Sequence, residues 1–261
     1  MQRKLYQQKD KKMGEISDVV LPVVQQPLTD IWDATVGSWI GFWADKKRLD
    51  RQLKFEDYKN KILTECGKIP EDKKLEPQLS IIGPALEASK FYIDEEILRD
   101  MFAKLIANSM NADKQQFINA AFVEIIKQMS PVDANILKTF IKNKQQPISR
   151  FIEYREIPGQ GIQKDQYFPL VDLVYTIPEI DSINNANLIA NGISINNLSR
   201  LGLLDCTLFG LGECLAEDNM YALHQQIMND KIKIQHLNVD MIKGLVKITP
   251  LGTAFIKSCM E

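Results

Sequence analysis

The residues able to do chemistry are few and scattered. Two histidines, His224 and His236, and four cysteines, Cys66, Cys206, Cys214 and Cys259, are the only imidazoles and thiols in the chain. Cys206, Cys214, His224 and His236 have the residue types of a zinc site, but their spacings match no compact finger or ribbon. There is no Gly-x-Ser-x-Gly elbow, no phosphate-cradling Gly-x-x-x-x-Gly-Lys loop and no His-Glu-x-x-His pair. Asp94, Glu95 and Glu96 are adjacent acids, which the field of a helix N-terminus explains. The mixed run Glu153, Tyr154, Arg155, Glu156 reads as the solvated face of a strand. With histidine scarce, the usual general base is scarce too. The expectation is a protein that is not an enzyme, with no cofactor and no metal.

A different chemistry lies near the N-terminus. Leu28, Trp32, Thr35, Val36, Trp39, Ile40 and Trp43 recur at three- and four-residue steps, which stack on one helical face. All three tryptophans of the chain are among them. Gly37 and Gly41 form a Gly-x-x-x-Gly spacing that lets two helices approach closely. Lys46, Lys47, Arg48 and Arg51 follow at once. Tryptophan with a basic flank is the composition of a helix lying in a membrane interface. Trp32, Val36, Gly37, Trp39, Ile40, Gly41, Trp43, Lys46, Lys47, Arg48 and Arg51 are therefore the candidate membrane or partner contacts. The competing reading packs the same stripe into a core or against another subunit.

The bulk composition restricts the partners. Net charge is −2 over 261 residues, with 45% hydrophobic and 25% charged. Such a chain can bury a core without metal or disulfide and has no global attraction to nucleic acid or anionic lipid. The scattered cysteines read as free thiols of a reducing cytoplasm. No window reaches the roughly 18 apolar residues of a membrane span. The expected location is cytoplasmic, with a peripheral position at the inner membrane face as the extension of the tryptophan-helix reading.

These residues must be carried by an α-rich frame. The helical pattern beginning at Leu28 continues through Leu53, Tyr58 and Ile62 to Cys66, where Gly67 and Pro70 end it. A helix is predicted over 79–91, with Gly83-Pro84 near its start or kinking it. Asp94 is the predicted N-cap of the next helix, with Ile93 and Leu98 as a hydrophobic staple. Helices over 113–129 and from Ser130 onward complete a helical run over 94–144. Ser130-Pro131-Val132-Asp133 is the clearest start signal, with a capping serine, a first-position proline and an aspartate to close the box. Strands are predicted over 151–157, 167–176 and 242–249, and a helix over 183–203. Leu198-Ser199-Arg200-Leu201-Gly202-Leu203-Leu204 ends that helix, and Thr249-Pro250-Leu251-Gly252 starts the last one. The order helix, glycine exit, strand, helix is similar to a winged-helix module. Its basic content is low, since Arg200 is the only Arg or Lys between Asp181 and Asp230, which disfavours nucleic acid as a partner.

Several of these pieces resemble the bacterial abortive-infection alpha family. They are Met101-Phe102-Ala103-Lys104-Leu105-Ile106-Ala107-Asn108-Ser109-Met110, Phe117 with Ala121-Phe122-Val123-Glu124-Ile125-Ile126-Lys127-Gln128-Met129, Ser130 through Leu137, Leu198 through Leu203, and Thr249 through Phe255. The resemblance covers residues 31–260. It implies a role in bacterial defence against phage and brings no catalytic residues. The stretch 206–240 departs from it, being longer than a short wing.

The expected fold is mainly α (α+β), with a flexible segment 1–27, a helical domain 28–144 and a winged-helix-like α+β domain 145–261. The expected activity is non-enzymatic anti-phage defence through protein–protein or membrane contacts. Self-association or a protein partner is expected, with a membrane surface engaged on activation. The alternative is a winged-helix regulatory or DNA-associated module.

Overall fold

The computed structural model describes residues 45–157, 159, 161–176, 185–210, 218–233 and 238–261. They form two compact units, one from Met1–Gln128 with Ala254–Glu261 and one from Met129–Thr253.

In the first unit the described helices are α1 (Asp45–Gly67), α2 (Leu79–Ser89), α3 (Glu96–Ser109) and α4 (Ala121–Lys127). α3 is the centre. Leu98, Met101, Phe102, Ala103, Leu105, Ile106 and Ala107 are all buried, and so wide an apolar surface must be covered from several sides. α1 covers one side with Phe55, Tyr58, Ile62 and Cys66, buried at helical spacing. Ion pairs set its register: Lys54 to Asp94 at 2.7 Å, Arg99 to Asp57 at 3.4 Å, and Lys61 to Asp100. These pairs are partly solvated, so they orient the helix more than they stabilise it. α2 keeps Pro84 inside it. The carbonyl that Pro84 leaves unbonded is that of Ser80, which is exposed and can be hydrated.

Two local expectations are corrected here. The N-cap of α3 is Glu95, not Asp94; Asp94 is instead committed to Lys54. Residues 113–129 are not one helix but a 3-10 turn (Ala112–Phe117), an extended Ile118 and then α4. The cause is two asparagines. Asn111 Oδ1 accepts from the Asp113 N–H at 3.0 Å, and Asn119 Oδ1 from the Ala121 N–H at 2.9 Å. Each side chain starts a new turn and thereby ends the old one.

The C-terminal residues belong to this first unit. The last carbonyls of α8 (Pro250–Cys259) and the residue after it have no helical partners. Asn108 Nδ2 donates to Ser258 O at 3.0 Å, Lys114 Nζ to Lys257 O at 3.2 Å, and Lys104 Nζ to Met260 O. Phe122 and Phe255 pack edge to face at 5.1 Å.

The second unit begins with α5 (Pro131–Thr139), capped as predicted. Ser130 Oγ accepts from the Asp133 N–H at 3.2 Å, and Asp133 Oδ2 from the Ser130 N–H at 2.7 Å. The sheet follows: β1 (Gln145–Ile157), β2 (Gly161–Val174), β3 (Leu204–Leu208) and β4 (Val239–Ile248), wholly antiparallel in the order β2-β1-β4-β3. Helix α6 (Asn185–Arg200) connects β2 to β3, and α7 (Ala222–Ile227) lies between β3 and β4. The fold is thus α+β and mainly helical. β1 starts earlier than predicted, at Gln145 rather than Phe151, because β4 pairs along it from Gln145 opposite Lys247 to Glu153 opposite Val239.

The glycine exit and the Thr-Pro-Leu-Gly start form one lock. The Gly202 N–H donates to Ser199 O at 2.9 Å and the Leu203 N–H to Leu198 O at 3.0 Å. With Gly202 at φ 76, that is a Schellman ending for α6. Thr249 then closes onto it, its N–H donating to Leu203 O at 3.0 Å and its Oγ1 to Gly202 O at 2.6 Å. The same Oγ1 accepts from the Gly252 N–H at 2.9 Å and so caps α8. A Cβ on Gly252 would lie 2.2 Å from Leu203 O, so only glycine allows this approach.

Candidate interaction surface

Helix α6 presents two unlike faces. Leu188, Asn191, Ser194, Ile195 and Leu198 are buried. Its backbone touches β2 so closely that a Cβ on Gly192 would lie 2.5 Å from Leu173 O. Turned away from that packing are Ile189, Ile193, Asn196 and Arg200, one stripe at four-, three- and four-residue steps. Ile189 is 60% and Ile193 65% exposed. Two β-branched apolar side chains side by side on the outer face are what a contact surface offers, not what a solvated face needs. The sequence signal was the number of apolar positions in 183–203, more than one buried face uses.

Charge says what this stripe suits. Arg200 is the only charged residue of α6. Its guanidinium donates to Asn197 Oδ1, from Nη2 at 2.8 Å and from Nε at 3.3 Å. Asn197 Nδ2 in turn donates to Asp133 Oδ2 at 3.0 Å. The sole cation is therefore tied through Asn197 to the carboxylate of the α5 capping box. A helix reading duplex DNA needs several cations free to meet phosphates and base edges.

A second constellation escaped the sequence reading because its members lie far apart in the chain. Ser149 Oγ and His224 Nδ1, 75 residues apart, are hydrogen bonded at 3.0 Å. His224 Nε2 lies 3.4 Å from Thr176 Oγ1. A serine beside an imidazole is the start of a nucleophile–base pair. Here Ser149 is 0% and His224 1% exposed. The ring stacks edge on against Tyr221, whose hydroxyl donates to Gly244 O at 2.7 Å. Burial pushes the imidazole pKa down to about 4. A neutral, enclosed histidine of this kind fastens α7 to the sheet; a substrate carbonyl has no approach to Ser149 Oγ.

The candidate contacts Trp32, Val36, Gly37, Trp39, Ile40, Gly41 and Trp43 lie outside the described residues. Lys46, Lys47, Arg48 and Arg51 lie in the first turns of α1, with their side chains outside the description. Of the four metal-type residues, Cys214 and His236 are also outside it. Cys206 sits on β3 opposite Val246, and His224 is occupied as above. Among the described residues no helix is long and apolar enough to cross a membrane.

The described residues thus form an α+β fold with a largely hydrophobic core, and helix α6 shows exposed Ile189 and Ile193 on its outer face. A family model, abortive infection alpha, matches residues 50–259. The chain belongs to the abortive infection alpha family, and membership points to abortive infection defence. No curated protein matches the chain. Among solved structures, it is similar to an uncharacterized protein from the hydrocarbon-degrading marine bacterium Alcanivorax borkumensis SK2, at 10% identity, over 55% of this chain and 92% of that one, with a TM-score of 0.25.

Proposed function

We propose that this protein takes part in abortive infection defence as a non-enzymatic component that acts by binding another protein chain. The outer stripe of α6 carries the reading: Ile189 and Ile193 are exposed, and Arg200 is engaged by Asn197. The order α6, glycine exit, β3, β4, α8 is read as winged-helix-like, with its would-be recognition helix adapted to protein rather than to DNA. This reading predicts that Ile189→Asp with Ile193→Asp abolishes protection in a plaque assay while the fold, followed by circular dichroism, persists. Ser149→Ala leaves protection intact. Loss of protection in Ser149→Ala with retained stability would instead establish a catalytic role.

The contact with a membrane is the second part of the proposal, and the composition of Trp32, Trp39, Trp43 and the basic run Lys46, Lys47, Arg48, Arg51 supports it. The expected location is cytoplasmic, at the inner membrane face during infection. Liposome flotation with Trp39→Ala and Trp43→Ala tests it. Equal, negligible binding by every form removes the membrane from the mechanism.

A further inference from the structure

We propose that the corner of the second unit where α5 runs into β1 docks on a bilayer surface of anionic headgroups; this deepens the membrane contact proposed above and rests on it. Four exposed lysines lie there: Lys138 in the last turn of α5, Lys142 and Lys144 in the turn that follows, and Lys247 on β4. Backbone and side-chain bonds fix their placement. The Ile141 N–H donates to Lys138 O at 3.1 Å and the Asn143 N–H to Thr139 O at 3.4 Å, so the chain keeps turning as a helix past the end of α5. Lys138 and Lys142, four residues apart, then share one side of that turn. The Ile248 N–H donates to Lys144 O at 3.0 Å and Gln145 pairs with Lys247, which seats Lys247 beside it. Gln146 Nε2 donates to Thr139 Oγ1 at 2.7 Å and fastens the start of β1 to the end of α5.

Charge and its carrier select the occupant. None of the four lysines makes an ion pair among the described residues. Asp205, exposed opposite Lys247, offsets one charge, and Asp172 is already neutralised by Arg150 at 2.7 Å. Glu153 and Asp240 lie at the far end of β1 and β4, roughly 27 Å away at the rise of a strand. Salt screens exposed charges beyond about 8 Å, so those carboxylates do not cancel the field of the corner. It is net positive on a chain whose total charge is −2. Its cations are all lysine, point charges on flexible stems, without the guanidinium fork that pairs with carboxylates and base edges. Among the described residues no exposed large apolar side chain lies in 138–145, whereas a protein interface is built on an apolar centre and is depleted in lysine. Duplex DNA is read by a helix or ribbon that enters a groove, and this corner is a turn at a strand end. A layer of anionic headgroups asks only for several exposed point charges close together.

Each lysine at such a surface contributes about fivefold to binding. Co-sedimentation of the full chain with vesicles of equal parts phosphatidylglycerol and phosphatidylcholine should show binding that pure phosphatidylcholine vesicles lack, and added salt should weaken it. Lys142→Gln with Lys144→Gln and Lys247→Gln should lower that binding about a hundredfold. The urea midpoint should hold, since all three side chains are exposed. Lys142→Arg with Lys144→Arg and Lys247→Arg, which keeps the charge, should bind as the wild type does. Undiminished binding by the glutamine triple, with binding lost in Trp39→Ala with Trp43→Ala, overturns the corner and leaves the membrane contact standing. No vesicle binding by any form overturns both. Duplex DNA held more tightly than the anionic vesicles, and released by the same glutamine triple, overturns the choice of lipid.

Discussion

His224 is held on three sides by groups that carry no charge: Ser149 at Nδ1, Thr176 at Nε2 and the Tyr221 ring. Nothing there compensates an imidazolium, so burial holds the pKa near 4 against an ordinary 6.5. The consequence for stability has a definite sign. Between these two values the unfolded chain binds a proton that the folded chain refuses, so stability falls as pH drops from about 6.5 towards 4. The full loss is roughly 3 kcal/mol, complete once the pH is below the folded value. Denaturant melts of the wild type and His224→Gln, taken from pH 7.5 to 4, should diverge in slope, with the variant flatter. Parallel curves would mean that His224 is not the group responsible. Gly252 poses a steric question instead. A methyl there meets the Leu203 carbonyl at 2.2 Å, backbone against backbone, which cannot rotate away. Gly252→Ala should cost about 3 kcal/mol by overpacking, read as a lowered urea midpoint.

At the level of elements, the second unit is set by helix ends. The box at Ser130 and Asp133 does more than start α5, because the Asp133 carboxylate also receives Asn197 from α6. Ser130→Ala should cost about 1 kcal/mol, the usual worth of an N-cap. Asp133→Ala should cost clearly more, since it orphans the Ser130 N–H and the Asn197 amide together. Equal losses in urea titrations would argue that the Asn197 link contributes nothing. These ends were readable from the sequence because their chemistry is local: Ser130-Pro131-Val132-Asp133, the Gly202 exit and Thr249-Pro250 each act within a turn. What was missed is not local, or competes with a stronger pattern. The early start of β1 depends on β4, far along the chain. The Ser149–His224 contact needs β1 and α7 brought together. The break before α4 comes from the Asn119 side chain, outvoted by the apolar periodicity of Phe117, Ala121 and Phe122. The outer stripe of α6 can be told from its inner face only once the helix is packed against β2, where Gly192 lies close to Leu173.

For the whole molecule, the first unit joins sequence-distant ends of the described chain: α1 and the residues from Ala254 onward. Cys66 closes α1 at 1% exposure and Cys259 closes α8 at 0%. Burial raises the Cys66 thiol pKa to about 12 and pushes that of Cys259 well above its ordinary value. Neither thiol reacts while folded, since the thiolate is the nucleophile and both sites are closed. Labelling must wait for an opening, and the size of that opening sets its denaturant dependence. The carbonyls of Lys257 and Ser258 are held by Lys114 and Asn108, and Phe255 is locked against Phe122. Those contacts make the end of α8 part of the same cooperative core as α3. Peptide-resolved thiol labelling in rising urea should therefore show Cys66 and Cys259 modified together, with the same steep dependence. Asn108→Ala should raise both rates. Early modification of Cys259 with a shallow dependence, while Cys66 stays protected, would show instead that the last turns of α8 open on their own.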